Sequence, residues 1–157
     1  MVTTDLTIQF IIRLAVAGLL GALIGLDREY RAKEAGTRTH FLVSLGSALI
    51  IIVSQWGFGD VVGHPGIGLD PSRVAAQVVS GIGFLGAGTI IVTARNQIKG
   101  LTTAAGLWAS ACVGLALGIG LYAVSIMGSV AIFVILTLLH ELDFRMRRST
   151  KQVEVYV

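Results

Sequence analysis

Long apolar runs dominate the chain. Between short polar segments lie five stretches of mainly apolar residues: Leu6 to Leu26, His40 to Gly57, Val74 to Ala94, Thr102 to Gly118 and Leu121 to His140. Each has roughly the 17 to 22 residues that a helix needs to cross the hydrocarbon core of a bilayer. The last two are separated by Gly118-Ile119-Gly120, and glycine's tolerance of positive φ lets this segment turn tightly between antiparallel helices. A single helix through both runs would far exceed bilayer thickness. The pattern predicts an all-α integral membrane fold: a five-helix transmembrane bundle over residues 1–144, then a basic cytoplasmic tail over 145–157. The tail ends in Gln152-Val153-Glu154-Val155-Tyr156-Val157, which alternates as a β-strand does.

Composition strengthens this picture. Of 157 residues, 54% are hydrophobic and 13% charged, and the mean hydropathy is +0.82, more apolar surface than a soluble fold of this size can hide. The opening MVTTDLTIQF lacks the basic region of a secretory signal, so the first run reads as a retained span. Cys112, the only cysteine, falls inside an apolar run; it excludes an intramolecular disulfide and a four-cysteine metal site, and it reads as a small packing residue.

Charge sets the orientation. Arg28, Arg31, Lys33 and Arg38 follow the first span, Arg95 and Lys99 follow the third, and Arg145, Arg147, Arg148 and Lys151 follow the fifth. With five spans these groups share one side, while Asp5, Asp60, His64 and Asp70 fall on the other with Arg73 as the nearby cation. The positive-inside rule then places the N-terminus outside and the C-terminus in the cytoplasm.

The third span contains SGIGFLGAG, in which Gly81, Gly83 and Gly86 have the spacing of a dinucleotide-binding loop. That motif needs a preceding strand and an acidic residue about 20 positions downstream. No Asp or Glu occurs between Asp70 and Glu141, and the context is a bilayer-length apolar run. Helix packing is the better account, because lipid gives no hydrophobic drive between helices and small residues let backbones approach. Gly21 and Gly25 in the first span read the same way. So does the fourth-residue ladder of Thr102, Gly106, Ser110, Gly114 and Gly118.

Polar residues that hydrocarbon penalises are the candidate functional groups. Asp70-Pro71-Ser72-Arg73 reads as a capped helix start, from which Arg73 and Gln77 descend toward the glycines. Arg13 lies about two turns into the first span and needs a partner, for which Asp70 is the leading candidate. Asp27, Arg28, Glu29, Arg38, Thr39 and His40 crowd the link between the first two spans, and Thr102 and Thr103 open the fourth on the same side. Glu29 and Lys33 form an i,i+4 pair that would extend the first helix past the membrane surface. Arg31, Lys33 and Glu34 read as a solvated turn, and Trp108 as a packing or interface residue.

Three segments, GLLGALIGLDREYRAKEAGTRTHFLVSLGSAL, DPSRVAAQVVSGIGFLGAGTII and IKGLTTAAGLWASACVGLALGIGLY, occur in order over roughly residues 10–142. Together they make the chain resemble the membrane domain of the MgtC/SapB family. The resemblance implies a multi-pass protein of the bacterial cytoplasmic (inner) membrane, linked to growth at low magnesium. In pathogens it implies survival inside host phagocytes, attributed to action on the membrane sector of the F-type ATP synthase; the family has also carried the label of magnesium transport. The MgtC type has a soluble domain after its membrane part, so the strand-like end reads either as the start of such a domain or as a strand that pairs with another subunit.

The leading expectation is a non-enzymatic regulator or accessory factor in magnesium homeostasis. Its partners would be the lipid bilayer, other membrane proteins such as membrane ATPase subunits, and further copies of itself, with no nucleic acid. The alternative is a transporter or channel that itself moves Mg²⁺, another cation or a small solute. No cofactor is expected, and Mg²⁺ enters only as a ligand. Mg²⁺ prefers carboxylate and water oxygens and dehydrates reluctantly. Asp27, Glu29 and Asp70, at the ends of the spans, are the candidates for contacting a hydrated cation. The chain has no P-loop, no HExxH and no nucleophile paired with a base at recognisable spacing, which argues against an enzyme.

Overall fold

The computed structural model describes residues 4–60, 62, 64, 68, 70–94 and 97–153, with backbone alone at residue 71 and from residue 139 onward. Among the described residues the regular structure is helical apart from one short hairpin. Its elements are α1 (Thr4–Tyr30), α2 (Thr37–Trp56), α3 (Pro71–Thr89), β1 (Ile91–Val92), β2 (Ile98–Lys99), α4 (Leu101–Ile119) and α5 (Tyr122–Val153). Of these, α1, α2 and α4 are long and apolar enough to cross a membrane, and Tyr122–Leu138 of α5 is a shorter apolar stretch.

Successive helices alternate in direction. Gly25 lies against Thr37 and Gly18 against Phe41, so α1 and α2 are antiparallel; Gly86 lies against Ala104, so α3 and α4 are too. Gly106, Gly114 and Gly118 meet His40, Ser44 and Ala48 in turn, so α2 and α4 run parallel. The centre is α4, which contacts every other helix. On one side its Leu107, Ala111 and Leu115 pack with Ile51, Val78, Ile82 and Ala35; on the other its Val113 and Leu117 pack with Ala17, Ile24 and Ala48.

Small residues make this closeness possible. A Cβ on Gly25 would lie 2.6 Å from the Thr37 Cα, and one on Gly118 would lie 2.6 Å from the Ala48 carbonyl oxygen. A Cβ on Gly114 would collide with the Ser44 carbonyl, and one on Gly21 with that of His40. Packing within the chain thus accounts for Gly21, Gly25, Gly86, Gly106, Ser110, Gly114 and Gly118. It does not account for Gly81 and Gly83, which face open space because α3 buries only the opposite face, Val78, Ile82 and Gly86.

The helix ends follow from local chemistry. Asp70 caps α3 by accepting from the Ser72 N–H at 3.0 Å, with Pro71 following at the first helical position. The third apolar run is shorter as a helix than its expected extent to Ala94, stopping at Thr89. There the β-branched sequence Thr89-Ile90-Ile91-Val92-Thr93 turns extended, and Ile91 pairs with Lys99. At the end of α4, Gly120 has φ +103°; its N–H bonds the Leu117 carbonyl and the Leu121 N–H that of Ala116, which closes the tight hairpin.

The first helix ends the same way without a glycine. Ala32 adopts φ +49°, and the Lys33 N–H bonds back to the Arg28 carbonyl. Lys33 therefore leaves the helix, and the expected Glu29–Lys33 helical pair gives way to a bond from the Thr37 N–H to Glu29 Oε2 at 2.9 Å. At the far end, Gln152 and Val153 close α5 as helix, whereas Glu154 to Val157 lie outside the described residues, as does Arg95.

Candidate functional site

Because the helices alternate, the last turn of α1 meets the first turns of α2 and α4 at one end of the bundle. Thr103, Gly106 and Ser110 share a face of α4 at spacings of three and four, and polar groups from the other two helices line up along it. Arg28 is 4% exposed; its Nη2 donates to Thr103 Oγ1 at 3.1 Å, and the Thr103 hydroxyl donates onward to Glu34 Oε2 at 2.9 Å. One turn along, the fully buried His40 ring places Nδ1 2.8 Å from Ser110 Oγ. Gly106 leaves room for that ring, since a Cβ there would lie 3.2 Å from His40 Cε1.

Asp27 sits beside this row. Its Oδ1 pairs with Arg31 Nε at 2.7 Å and accepts from Thr137 Oγ1 at 3.3 Å, which ties α1 to α5. Five buried polar atoms in this region have no hydrogen-bond partner among the described residues: Asp27 Oδ2, Arg28 Nε, Thr37 Oγ1, His40 Nε2 and Ser44 Oγ. Polar groups left so in an apolar bundle cost free energy, and within a membrane such groups mark functional positions. The α1–α2 connector closes the end, with Ala35 2% exposed in the core. Glu34, on this connector, is held below the usual carboxylate range by a hydrogen bond from its own backbone and then by the Thr103 hydroxyl. Just outside is a polar recess of about 500 Å³ lined by Glu29, Lys33, Gly36, Arg38 and Thr39.

Arg13 belongs to the opposite end. Its Nη1 donates to the Gly118 carbonyl at 2.9 Å, and its guanidinium lies 5.2 Å from the Trp56 ring centroid and 5.8 Å from that of Phe10. The expected Arg13–Asp70 pair does not form. The carbonyl-rich C-terminus of α4 and two aromatic faces engage Arg13 instead, while its buried Nε has no hydrogen-bond partner among the described residues. Asp70 is engaged in capping, and the side-chain and backbone hydrogen bonds from Ser72 hold its carboxyl below the ordinary range.

The structure thus divides the residues singled out by sequence. Asp27, Arg28, His40, Thr103 and Ser110 come together, with Glu29, Arg38 and Thr39 at the rim; Thr102 points outward, and Arg13, Asp70, Arg73 and Gln77 lie elsewhere. Asp27, Glu29 and Asp70 do not converge, and among the described residues no group of three or more His, Cys, Asp or Glu is placed to hold a metal. Glu34, Ser44 and Thr137 join the site unforeseen. The Thr103-Gly106-Ser110 spacing is the sequence signal that selects Thr103 over Thr102. A second opening, of about 490 Å³ and mainly apolar, lies between α2 and α3, bordered by Leu42, Gly46, Ile50, Val74, Gln77 and Gly81.

Comparison with known proteins places this arrangement. The chain is 48% identical over 151 residues to the Escherichia coli K12 protein named "Putative magnesium transporter YhiD", a match covering 96% of this chain and 69% of that protein. It is 46% identical over 129 residues to protein MgtC of Brucella abortus, covering 82% of this chain and 50% of the relative. With protein MgtC of Salmonella typhimurium the identity is 42% over 136 residues, covering 87% and 54%. The chain therefore spans about half the length of these MgtC relatives. No solved structure matches it significantly. The MgtC family model matches residues 14–145, nearly the whole helical bundle, and the chain belongs to the MgtC family.

Proposed function

We propose that this protein is a multi-pass protein of the bacterial cytoplasmic membrane that acts as a non-enzymatic regulator or accessory factor in magnesium homeostasis and adaptation to low magnesium. It works through contacts with other membrane proteins, membrane ATPases among them. All five helices cross the bilayer, with the N-terminus outside and the end bearing Arg28, Arg31, Lys33, Arg38 and Lys99 in the cytoplasm, in keeping with the positive-inside rule.

The observation that favours regulation is the employment of the carboxylates. Asp27 is engaged by Arg31 and Thr137, Glu29 by the Thr37 N–H, Glu34 by Thr103 and Asp70 by Ser72. A path for Mg²⁺ needs oxygens free to replace part of a tightly held hydration shell, and each of these four carboxylates already makes a bond within the fold, with Asp27 Oδ2 the buried carboxylate oxygen left over among the described residues. Transport is the second reading, supported by the unpartnered buried atoms around Arg28 and His40 and by the name of the E. coli relative.

Reconstitution separates the two. Purified protein in liposomes loaded with a Mg²⁺-sensitive dye gives no flux above protein-free vesicles if it regulates. Saturable flux that is lost in Asp27→Asn establishes transport instead. Orientation is read from a cysteine introduced at Gln97 in a Cys112→Ala background; labelling by an impermeant reagent from outside intact cells would overturn the topology.

A further inference from the structure

The outward face of α3 differs from the exposed faces of α1 and α5. On α1 that face carries Ile8, Ile11, Ile12, Leu19 and Leu23, and on α5 it carries Val124, Met127, Val130 and Val134, the bulky apolar groups that suit lipid. At helical spacing the outward face of α3 instead carries Arg73, Ala76, Gln77, Ser80, Gly81, Phe84, Ala87 and Gly88, all exposed. Phe84, 83% exposed, is its single large apolar side chain. A Cβ on Gly81 or Gly88 would meet nothing within 4 Å.

Three observations identify what covers this face. First, the Gln77 amide and the Ser80 hydroxyl make no side-chain hydrogen bond with the described residues, and in hydrocarbon each uncovered polar group costs several kcal/mol. Second, both groups are donor and acceptor at once, so each is satisfied by a second copy of itself. Third, the start of the helix carries one acid, the N-cap Asp70, and one base, Arg73, so two parallel copies place unlike charges near each other. Beyond these polar levels, toward the end of the helix, Phe84 is a knob and Gly81, Ala87 and Gly88 are the hollows that receive it.

We propose that α3 is a dimerisation helix, seated against α3 of a second copy of this chain around a two-fold axis along the membrane normal. In such an isologous contact Ser80 meets Ser80 and the Gln77 amides bond to each other. The inference rests on the membrane-spanning reading of α3 and is independent of whether the protein regulates or transports.

Cross-linking of the full chain in lipid vesicles tests it. In a Cys112→Ala background, Ser80→Cys and Phe84→Cys are expected to form disulfide-linked dimers under copper phenanthroline, whereas Ile12→Cys and Val130→Cys are not. Gln77→Leu and Ala87→Ile change exposed positions, so the monomer retains its melting temperature. Each is expected to weaken association in a dilution series on the order of tenfold. The proposal is overturned by equal yields at Ser80 and Ile12, by no dimer at Ser80 or Phe84, by unaltered association of both variants, or by a Ser80→Cys adduct in native membranes with the mass of another protein. Labelling of Gln97→Cys from the cytoplasmic side alone, in cells, shows separately whether α3 crosses the membrane.

Discussion

Thr103 tests the polar row most directly, because one hydroxyl serves both Arg28 and Glu34. Thr103→Val keeps the volume of a residue that is 1% exposed and removes only that hydroxyl. Arg28 Nη2, now 3.1 Å from its acceptor, loses its bond inside the bundle, where its Nε already has no partner. An unsatisfied buried donor costs about 1–3 kcal/mol, with charged donors at the upper end. Glu34 adds little, since its exposed carboxylate exchanges the hydroxyl for water. The expected loss is about 2–3 kcal/mol, on the order of a 30- to 150-fold shift in the folding equilibrium. Thr103→Ser keeps the hydroxyl and gives up one buried methyl, a cost of about 0.8 kcal/mol. Reversible unfolding by sodium dodecyl sulfate in mixed micelles reads both. If Thr103→Val is as stable as the parent, or if Thr103→Ser loses as much as Thr103→Val, Arg28 does not depend on this hydroxyl and the reasoning fails.

Other substitutions probe separate parts of the bundle. Gly114→Ala drives a methyl into the Ser44 backbone and should abolish stable folding. Gly83→Ala, with nothing within 4 Å, should leave the melting temperature unchanged or raise it slightly, since alanine favours helix by about 1 kcal/mol. Arg13→Leu removes the bond to the Gly118 carbonyl and the contacts to Trp56 and Phe10, and about 1–3 kcal/mol should be lost in the same unfolding assay. Glu34 is held below its ordinary range, so its contribution is fully present above the unfolded carboxylate value and fades as pH falls through the lower folded one. A melting-temperature profile between about pH 2 and 7 should therefore drop at its acid end, and Glu34→Gln should flatten that drop.

Helix number, and the approximate extent of α1 to α4, were legible because apolar run length answers to one physical quantity, the reach of a helix; α5 runs on to Val153, past the expected end at His140, through a charged stretch that apolar run length does not register. The close contacts at Gly25, Gly114 and Gly118 were legible for a related reason: small residues at fourth positions have few uses in an apolar helix. The same rule misled at Gly81 and Gly83. Spacing states that a face is small, not which neighbour it meets. The polar site was half legible. Asp27, Arg28 and His40 stood out as charges where apolar residues belong, whereas Glu34 and Thr137 looked ordinary, one in a loop and one in a helix, until folding brought them to Thr103 and Asp27. The Arg13–Asp70 pair failed because sequence counts charges and overlooks the backbone carbonyls and aromatic faces that serve a guanidinium equally well.

The placement of Ala35 makes the α1–α2 connector more than a link between helices. Its methyl group shares a packed cluster with Leu107 of α4 and with Val78 and Ile82 on the inner face of α3. Close-packed interiors resist compression and pass displacement on to their neighbours. The connector and α3 are therefore anchored in the same cluster as α4, so the loop that carries Glu34 is fixed by the core and not by its polar contacts alone.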